Sequence, residues 1–139
     1  MFSILLLISL IFSWQDLCQM EISAWLFLSS FACLLIFSWE SWDRALVFLL
    51  LALLARRIPL GMGEGDFCLL ALYSLSYSLL ECIFILFFAC VLALIFTMLF
   101  LLFTRRWLKI LPFVPFLTIS LVIYNGLFTS WLSILTGYL

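Results

Sequence analysis

The sequence predicts an all-α integral membrane protein with about six transmembrane helices. Of its 139 residues, 69% are hydrophobic and 9% are charged, whereas soluble domains average about 45–50% and about 25%. Such a chain folded in water would have too little polar surface to cover its exterior. Six Lys and Arg residues face seven Asp and Glu residues, so no basic surface is present for a nucleic-acid backbone. These observations exclude an ordinary soluble enzyme, a disordered segment and a nucleic-acid-binding protein.

Polar and helix-breaking residues divide the chain into apolar stretches, and the first three are short. Residues 1–16 and 24–39 are predicted to form helices 1 and 2. The polar cluster 40–44 then turns the chain into helix 3, residues 42–55. This helix is predicted to end where two arginines, Pro59 and three glycines follow, because proline and glycine interrupt a helix.

Residues 67–104 form the longest apolar stretch. As one helix it would be about 57 Å long, nearly two hydrocarbon cores, so a break at residues 76–81 is predicted to separate helices 4 and 5. Helix 6 is predicted over residues 112–126 or further, and residues 127–139 either lengthen it or lie in the membrane interface. The whole chain, 1–139, is predicted to be a single transmembrane domain.

The basic residues predict the orientation of the chain. With the N-terminus outside, six crossings place five of the six Lys and Arg residues on one side. These five are Arg56, Arg57, Arg105, Arg106 and Lys109. Only Arg44 lies on the other side. Since cytoplasmic loops carry the excess of Lys and Arg, the first side is predicted to be cytoplasmic.

The composition also excludes several kinds of chemistry. The chain has no histidine, so a Ser-His-Asp triad, a Cys-His pair and an H-E-x-x-H zinc site are impossible. The five cysteines lie at 18, 33, 68, 82 and 90, without CxxC spacing, and we expect them to be small apolar helix residues. Catalysis would have to use carboxylates, hydroxyls or the single Lys109. No metal and no organic cofactor is predicted.

The seven acidic residues are few enough to be considered by position. Glu40, Asp43 and Glu81 fall in the predicted outer turns, where carboxylates are ordinarily solvated. Glu21 follows helix 1 and is expected to be interfacial. These four acids therefore have simple explanations as surface groups, whereas Asp16 lies near the end of a predicted membrane helix.

Asp16 and Asp66 are the candidate functional acids. Asp16 follows 15 mostly apolar residues, which span about 22 Å against a hydrocarbon core of about 30 Å. It is thus kept at or just inside the membrane boundary, where an ionisable group is costly and usually functional. Asp66 follows Gly61, Gly63 and Gly65 in the run GMGEGD. Two crossings separate the aspartates, so both are predicted to lie on the cytoplasmic face.

Two carboxylates that converge in a partly dehydrated site suit aspartyl proteolysis. They cannot both ionise readily, so one keeps a proton while the other takes a proton from water. Without a β-carbon, Gly63 and Gly65 permit positive φ and the close approach of an extended substrate. The alternative is structural, with Asp66 as the N-cap of helix 4 and Asp16 as a cap at the boundary. The residues alone leave both interpretations open.

Three blocks resemble the type IV prepilin peptidases, the GxGD family of membrane aspartyl proteases. Residues 61–72 (GMGEGDFCLLAL) are similar to the G-M-G-x-G-D segment of that family. Residues 16–23 are similar to the segment that holds its first aspartate, and residues 110–117 to a later segment with two prolines. Three positions depart from the family pattern: Ser23 for proline, Cys68 for lysine and Val114 for glycine.

The resemblance implies an aspartyl endopeptidase with Asp16 and Asp66 as catalytic residues, supported by Gly61, Gly63 and Gly65. Its substrate would be the helix of a type IV prepilin or pseudopilin, cut at the leader junction. The implied location is the bacterial cytoplasmic (inner) membrane, with the active site facing the cytoplasm. Larger members also N-methylate the trimmed pilin and carry a domain with paired CxxC motifs. The missing motifs imply a short form without the methyltransferase domain.

Two further expectations concern protonation and rival functions. Asp16 is expected to be the more desolvated acid and to hold the proton at rest, while the helix dipole keeps Asp66 ionised. A GxGD intramembrane protease of the signal-peptide-peptidase type would cut within a helix, but such enzymes usually carry tyrosine where Gln15 stands. A small transporter, channel or assembly scaffold would use the two acids for protons or cations.

Overall fold

The computed structural model describes residues 2–19, 23–38, 41–58, 63–105 and 111–137, with side chains through residue 128 in the last range. All regular structure within these residues is helical, which confirms the predicted all-α class. The described helices are α1 (Phe2–Gln19), α2 (Ala24–Phe37), α3 (Trp42–Arg57), α4 (Glu64–Ser74), α5 (Leu79–Thr104) and α6 (Val114–Gly137).

The longest apolar stretch breaks close to the predicted place. α4 ends at Ser74 and α5 begins at Leu79. Ser78 Oγ accepts a hydrogen bond from the Glu81 N–H at 3.3 Å, and Glu81 Oε2 accepts one from the Ser78 N–H at 2.6 Å. This reciprocal capping satisfies two N–H groups at the start of α5. The expectation of a solvated loop carboxylate is therefore wrong for Glu81, which is a half-buried helix cap.

The other helix ends lie within a few residues of the predictions. α2 ends at Phe37, α3 continues through Arg57, and α4 already begins at Glu64. The first turn of α4 thus includes part of the glycine-rich run, which the sequence analysis assigns to a loop. α6 runs from Val114 to Gly137, so most of the C-terminal tail lengthens this helix.

Two helices among the described residues are long and apolar enough to cross a membrane, namely α1 and α5. α2 is a shorter apolar helix, as is the part of α6 over Val114–Phe128. α4 has 11 residues, which makes it about 16 Å long, roughly half the thickness of a hydrocarbon core. α4 is therefore too short to span the hydrocarbon core of a membrane by itself.

α4 forms the centre of the helical bundle. Eight of its 11 residues are buried, whereas α5 exposes large apolar side chains such as Leu102 and Phe103. α3 packs along α4, and α6 packs along both α1 and α5. The fold thus buries a short apolar helix between longer ones. The apolar surface that remains on α5 suits lipid better than water.

Candidate active site

Asp16 lies in the last turn of α1 and holds the start of α6. Its Oδ2 accepts a hydrogen bond from the backbone N–H of Val114 at 3.2 Å. Val114 is the first residue of α6, and the first N–H groups of a helix have no partner within the helix. A carboxylate is favoured at this position because the N-terminus of a helix carries partial positive charge. Asp16 is half-buried there.

Asp66 lies in the first turn of α4 and is held by the residue that precedes this helix. Its Oδ2 accepts a hydrogen bond from the backbone N–H of Gly63 at 3.1 Å. The side chain is 8% exposed, because the helices around α4 cover it. Both aspartates thus satisfy N–H groups at helix starts. The structural alternative predicted Asp66 as the N-cap of helix 4, but the N-cap is Gly63, and Asp66 is the third residue of α4. Asp16 caps the start of α6.

The two carboxylates are electrostatically coupled. Burial raises the pKa of Asp66 to about 6, the Gly63 N–H opposes that rise, and the charge of Asp16 adds to it. A like charge has this effect only when it is near and poorly screened. The charge of Asp16 therefore acts on Asp66, as the smallest of the three contributions to the shift of its pKa. A buried carboxyl group with a like charge in range keeps its proton more readily than an isolated one.

The expectation that Asp16 is the more buried of the two aspartates is wrong. Asp66 is buried at 8% exposure, whereas Asp16 is half-buried. The difference arises because Asp66 belongs to the central helix, while Asp16 lies near the end of a helix that faces outward on one side. Desolvation therefore favours the protonated form at Asp66 more than at Asp16. This removes the reason for assigning the resting proton to Asp16.

The glycines do not have the predicted backbone conformation. Gly63 adopts φ −71° and ψ 153°, an extended conformation that most residues can adopt, and Gly65 lies inside α4. A β-carbon at position 63 would approach Asp66 Oδ2 at 3.6 Å, which is ordinary contact. The observed role of Gly63 is therefore to donate its N–H. Gly61 lies outside the described residues, as do Glu21, Glu40, Arg106 and Lys109.

A second feature of α4 lies on its opposite side. Glu64 and Cys68 line a groove of about 370 Å³ against α3, with Arg56 at its polar end. Residues two positions from Asp66 are rotated by about 200° around the helix, so this groove does not contain the aspartates. Arg56 Nε lies 4.0 Å from Glu64 Oε2, and both side chains are mostly exposed. An exposed pair of this kind contributes little to stability.

Other chemistry finds no support around the aspartates. Burial raises the pKa of Cys68 to about 11, so its thiol stays protonated and is a poor nucleophile. The part of the chain that the structure describes contains no group of three His, Cys, Asp or Glu side chains that could hold a metal ion. The arrangement can instead do acid–base chemistry with two carboxylates and one proton.

Sequence reasoning missed the partner of Asp16. Val114 is 98 residues away in the sequence. The only sequence signal for a helix start there was the pair of prolines near Val114, since proline is favoured in the first turn of a helix. Both prolines, Pro112 and Pro115, belong to the third block that resembles the prepilin peptidases. That block therefore contains the start of α6, whose N–H group holds the first candidate acid.

Comparison with known families identifies the family of the chain. The profile of the type IV leader peptidase family matches residues 3–98, which include Asp16, Asp66 and most of α5. The chain belongs to that family. No curated protein and no solved structure matches the chain. The matched range ends before α6, so the helix that Asp16 caps lies beyond it.

Proposed function

We propose that this protein is a membrane-embedded aspartyl endopeptidase that removes the leader peptide of type IV prepilins or pseudopilins. Membership of the type IV leader peptidase family supports a peptidase of this general kind. The observation that carries the aspartyl mechanism is the coupled pair of Asp16 and Asp66, each held through one oxygen by a backbone N–H group. The proposed form acts without N-methylation, since the chain has no CxxC motif.

The reaction needs one proton on the pair. In the proposed mechanism Asp66, the more buried acid, starts protonated, and Asp16 starts ionised. Asp16 takes a proton from water, the water oxygen attacks the scissile carbonyl carbon, and Asp66 donates its proton to the carbonyl oxygen. In the second step Asp66 takes a proton from the tetrahedral intermediate as the C–N bond breaks, and Asp16 donates its proton to the leaving amine. Both acids return to their starting states.

Two backbone N–H groups orient the carboxylates of the proposed pair. Val114 and Gly63 each fix one oxygen of a carboxylate, so the second oxygen of each aspartate has a defined position. Preorganised groups of this kind reduce the entropy that is lost when substrate and water come together. They also stabilise the ionised form of each acid at the moment when it has lost its proton.

The proposed location follows from the length of α1. This helix is apolar and long enough to span, and Asp16 lies in its last turn, which supports a position of Asp16 at a membrane boundary. We propose that this boundary is the cytoplasmic face of a bacterial inner membrane, as the distribution of basic residues predicts. The apolar helix of a prepilin would lie in the bilayer beside the bundle and bring its leader junction to the two aspartates.

Co-expression with a prepilin tests the function directly. The wild-type protein is expected to convert the precursor to a shorter form on a gel, and the Asp16→Asn and Asp66→Asn variants are expected to leave it uncut. Asp43→Asn is the matched control, because Asp43 is an exposed acid in the first turn of α3. This control is expected to cleave as the wild type does.

Three outcomes would contradict the proposal. Cleavage by both aspartate variants would remove the assigned roles. Failure of the wild type to cleave any of several prepilins would favour a transporter or assembly scaffold. Mass spectrometry of the mature N-terminus gives the third, since a cut inside the apolar helix would favour an intramembrane protease of the signal-peptide-peptidase type.

A further inference from the structure

Four hydroxyl side chains form a buried cluster between α1, α4 and α6. This hydroxyl cluster consists of Ser9, Ser13, Tyr73 and Thr118, which are all at most 8% exposed. Ser9 Oγ lies 2.9 Å from Tyr73 OH, and Ser13 Oγ lies 2.6 Å from Thr118 Oγ1. Thr118 Oγ1 also donates a hydrogen bond to the backbone carbonyl oxygen of Ser9 at 3.3 Å. The cluster is a connected polar network inside an otherwise apolar bundle, where an unpaired hydroxyl would be costly.

The direction of the central hydrogen bond can be assigned. Ser9 Oγ donates its only hydrogen to the carbonyl oxygen of Leu5 at 2.8 Å. A hydroxyl has a single hydrogen to donate, so the hydrogen between Ser9 and Tyr73 belongs to Tyr73. Tyr73 is therefore the donor that connects α4 to α1. Removing its hydroxyl leaves the Ser9 hydrogen still bonded to Leu5.

This bond and the aspartates occupy matching positions on their helices. Ser9 precedes Asp16 by seven residues on α1, and Tyr73 follows Asp66 by seven residues on α4. Seven residues are nearly two turns, about 10.5 Å, and return to the same helix face. Moving seven residues from Ser9 along α1 therefore leads to Asp16, and moving seven residues from Tyr73 along α4 leads to Asp66. The opposite order of the two pairs in the sequence means that α1 and α4 run antiparallel.

The aspartates belong to different parts of the helix packing. α1 packs along α6, where Asp16 contacts Val114 and Ser13 contacts Thr118. α4, which carries Asp66, packs along α3 instead and has much less contact with α1. The bond between Ser9 and Tyr73 connects these two packing units. A slip of one residue between α1 and α4 would displace one carboxylate by about 1.5 Å, and errors of about 1 Å can cost about 100-fold in rate.

We propose that Tyr73 and Ser9 are positioning residues, whose hydrogen bond fixes the register of α1 against α4 and thereby the approach of Asp16 to Asp66. Neither side chain touches the reacting atoms, since both lie about two turns from the acids. The inference rests on the proposed peptidase function for its kinetic test, but the register itself can be measured without activity.

Tyr73→Phe is the test variant, because it removes the bond without leaving a buried donor unpaired. Cleavage by this variant is expected to show kcat reduced by about 10- to 100-fold with KM unchanged. Its alkaline limb in kcat/KM against pH is expected to move to lower pH, because Asp16 no longer raises the pKa of Asp66 as strongly. Tyr77→Phe is the matched control, since Tyr77 lies in the α4–α5 turn outside the hydroxyl cluster, and it is expected to match the wild type.

A double-mutant cycle with Ser9→Ala shows whether the two residues act through one bond. Since the bond is already lost in either single variant, the double variant is expected to be no slower than the slower single variant. Additive losses, or a Tyr73→Phe enzyme with wild-type kcat and pH profile, would overturn the inference. A loss of kcat with an unchanged pH profile would also overturn it, because that indicates damage without a change in the aspartate pair.

Cysteine cross-linking separates this inference from the proposed function. In a background without the native cysteines, Asp16→Cys and Asp66→Cys are combined, and disulfide formation is followed with a mild oxidant. Tyr73→Phe is expected to slow cross-linking several-fold in this inactive protein, whereas Tyr77→Phe is not. Equal cross-linking in the two would overturn the register, even if prepilin cleavage is confirmed. Slower cross-linking with Tyr73→Phe would support the register, even if no prepilin is cleaved.

Discussion

Asp66 and Glu81 occupy the same position in successive helices and have different surroundings. Each accepts a hydrogen bond from the backbone N–H three residues earlier, at 3.1 Å from Gly63 and at 2.6 Å from Ser78. The second oxygen of Glu81 accepts a hydrogen bond from Tyr124 OH at 3.1 Å. The charge of Asp16 acts instead on Asp66 and adds to the rise of its pKa. Helix capping alone therefore does not distinguish a structural acid from a candidate catalytic one; their burial and the charges that act on them do.

The two ends of α4 show the same contrast in their charges. At the Glu81 end, Arg44 donates to the Tyr77 carbonyl oxygen at 3.0 Å and to Ser41 Oγ. Together with the hydrogen bonds of Glu81, these bonds connect α3, α5, α6 and the turn between α4 and α5. At the Asp66 end, the carboxylate is more buried and its charged neighbour has the same sign. The first arrangement pairs donors with acceptors, while the second leaves a buried carboxylate near a like charge, which makes its ionisation costly.

The largest effect is expected when each acid is made neutral. Asp66→Asn should reduce prepilin cleavage by about 100- to 10,000-fold, the range that general acid–base catalysis contributes. Glu81→Gln should leave cleavage within about threefold of the wild type, because Glu81 acts on α5 and α6 at the opposite end of α4. The measurement is the initial rate of leader removal in detergent. Equal loss in the two variants would mean that the contrast between the acids has no functional meaning.

Neutralising Asp66 should increase the stability of the protein, although it should reduce cleavage. The pKa of Asp66 is raised to about 6, so its ionisation costs folding energy that is absent near pH 4 and fully present above pH 6. Asp66→Asn should thus be more stable than the wild type at pH 7.5, by up to about 2–3 kcal/mol. The difference should shrink as the pH falls toward 4.5. Thermal unfolding in detergent measures it, and a pH-independent difference would contradict this account.

The backbone donor to Asp66 can be removed separately. Gly63→Pro suits the observed φ of −71° but has no N–H, so the pKa of Asp66 should rise by about one unit. The alkaline limb of kcat/KM, expected near pH 6 in the wild type, should move upward by the same amount. Gly63→Ala keeps the N–H and should leave the limb in place. An unshifted limb in the proline variant would show that this hydrogen bond does not tune the acid.

The smallest effect is expected at the structural end. Tyr124→Phe removes the donor to Glu81 Oε1, and the exchange of a partly exposed hydrogen bond should cost about 1 kcal/mol in unfolding free energy. Cleavage and its pH profile should not change. Chemical denaturation and the cleavage assay together measure this, and a shifted pH profile would show that the two ends of α4 communicate.

The sequence was sufficient for the features that depend on local chemistry. Proline, glycine and serine positions predicted six helices and the break between α4 and α5, because these residues act on the backbone around them. Counting crossings predicts that Asp16 and Asp66 lie on the same side of the membrane. The capping of α6 by Asp16 could not be predicted, since its partner Val114 is distant in the chain. The order of burial failed for the same reason, because it depends on the helices that surround α4.

The contact between Asp16 and Val114 bears on how small this peptidase could be made. A construction that stops after residue 98, where the family match ends, would retain both acids and four complete helices, yet Asp16 would have lost the amide that anchors it. We therefore expect the smallest active version to include the opening turns of the last helix. Supplying that helix as a separate polypeptide would be the most direct way to restore a shortened chain.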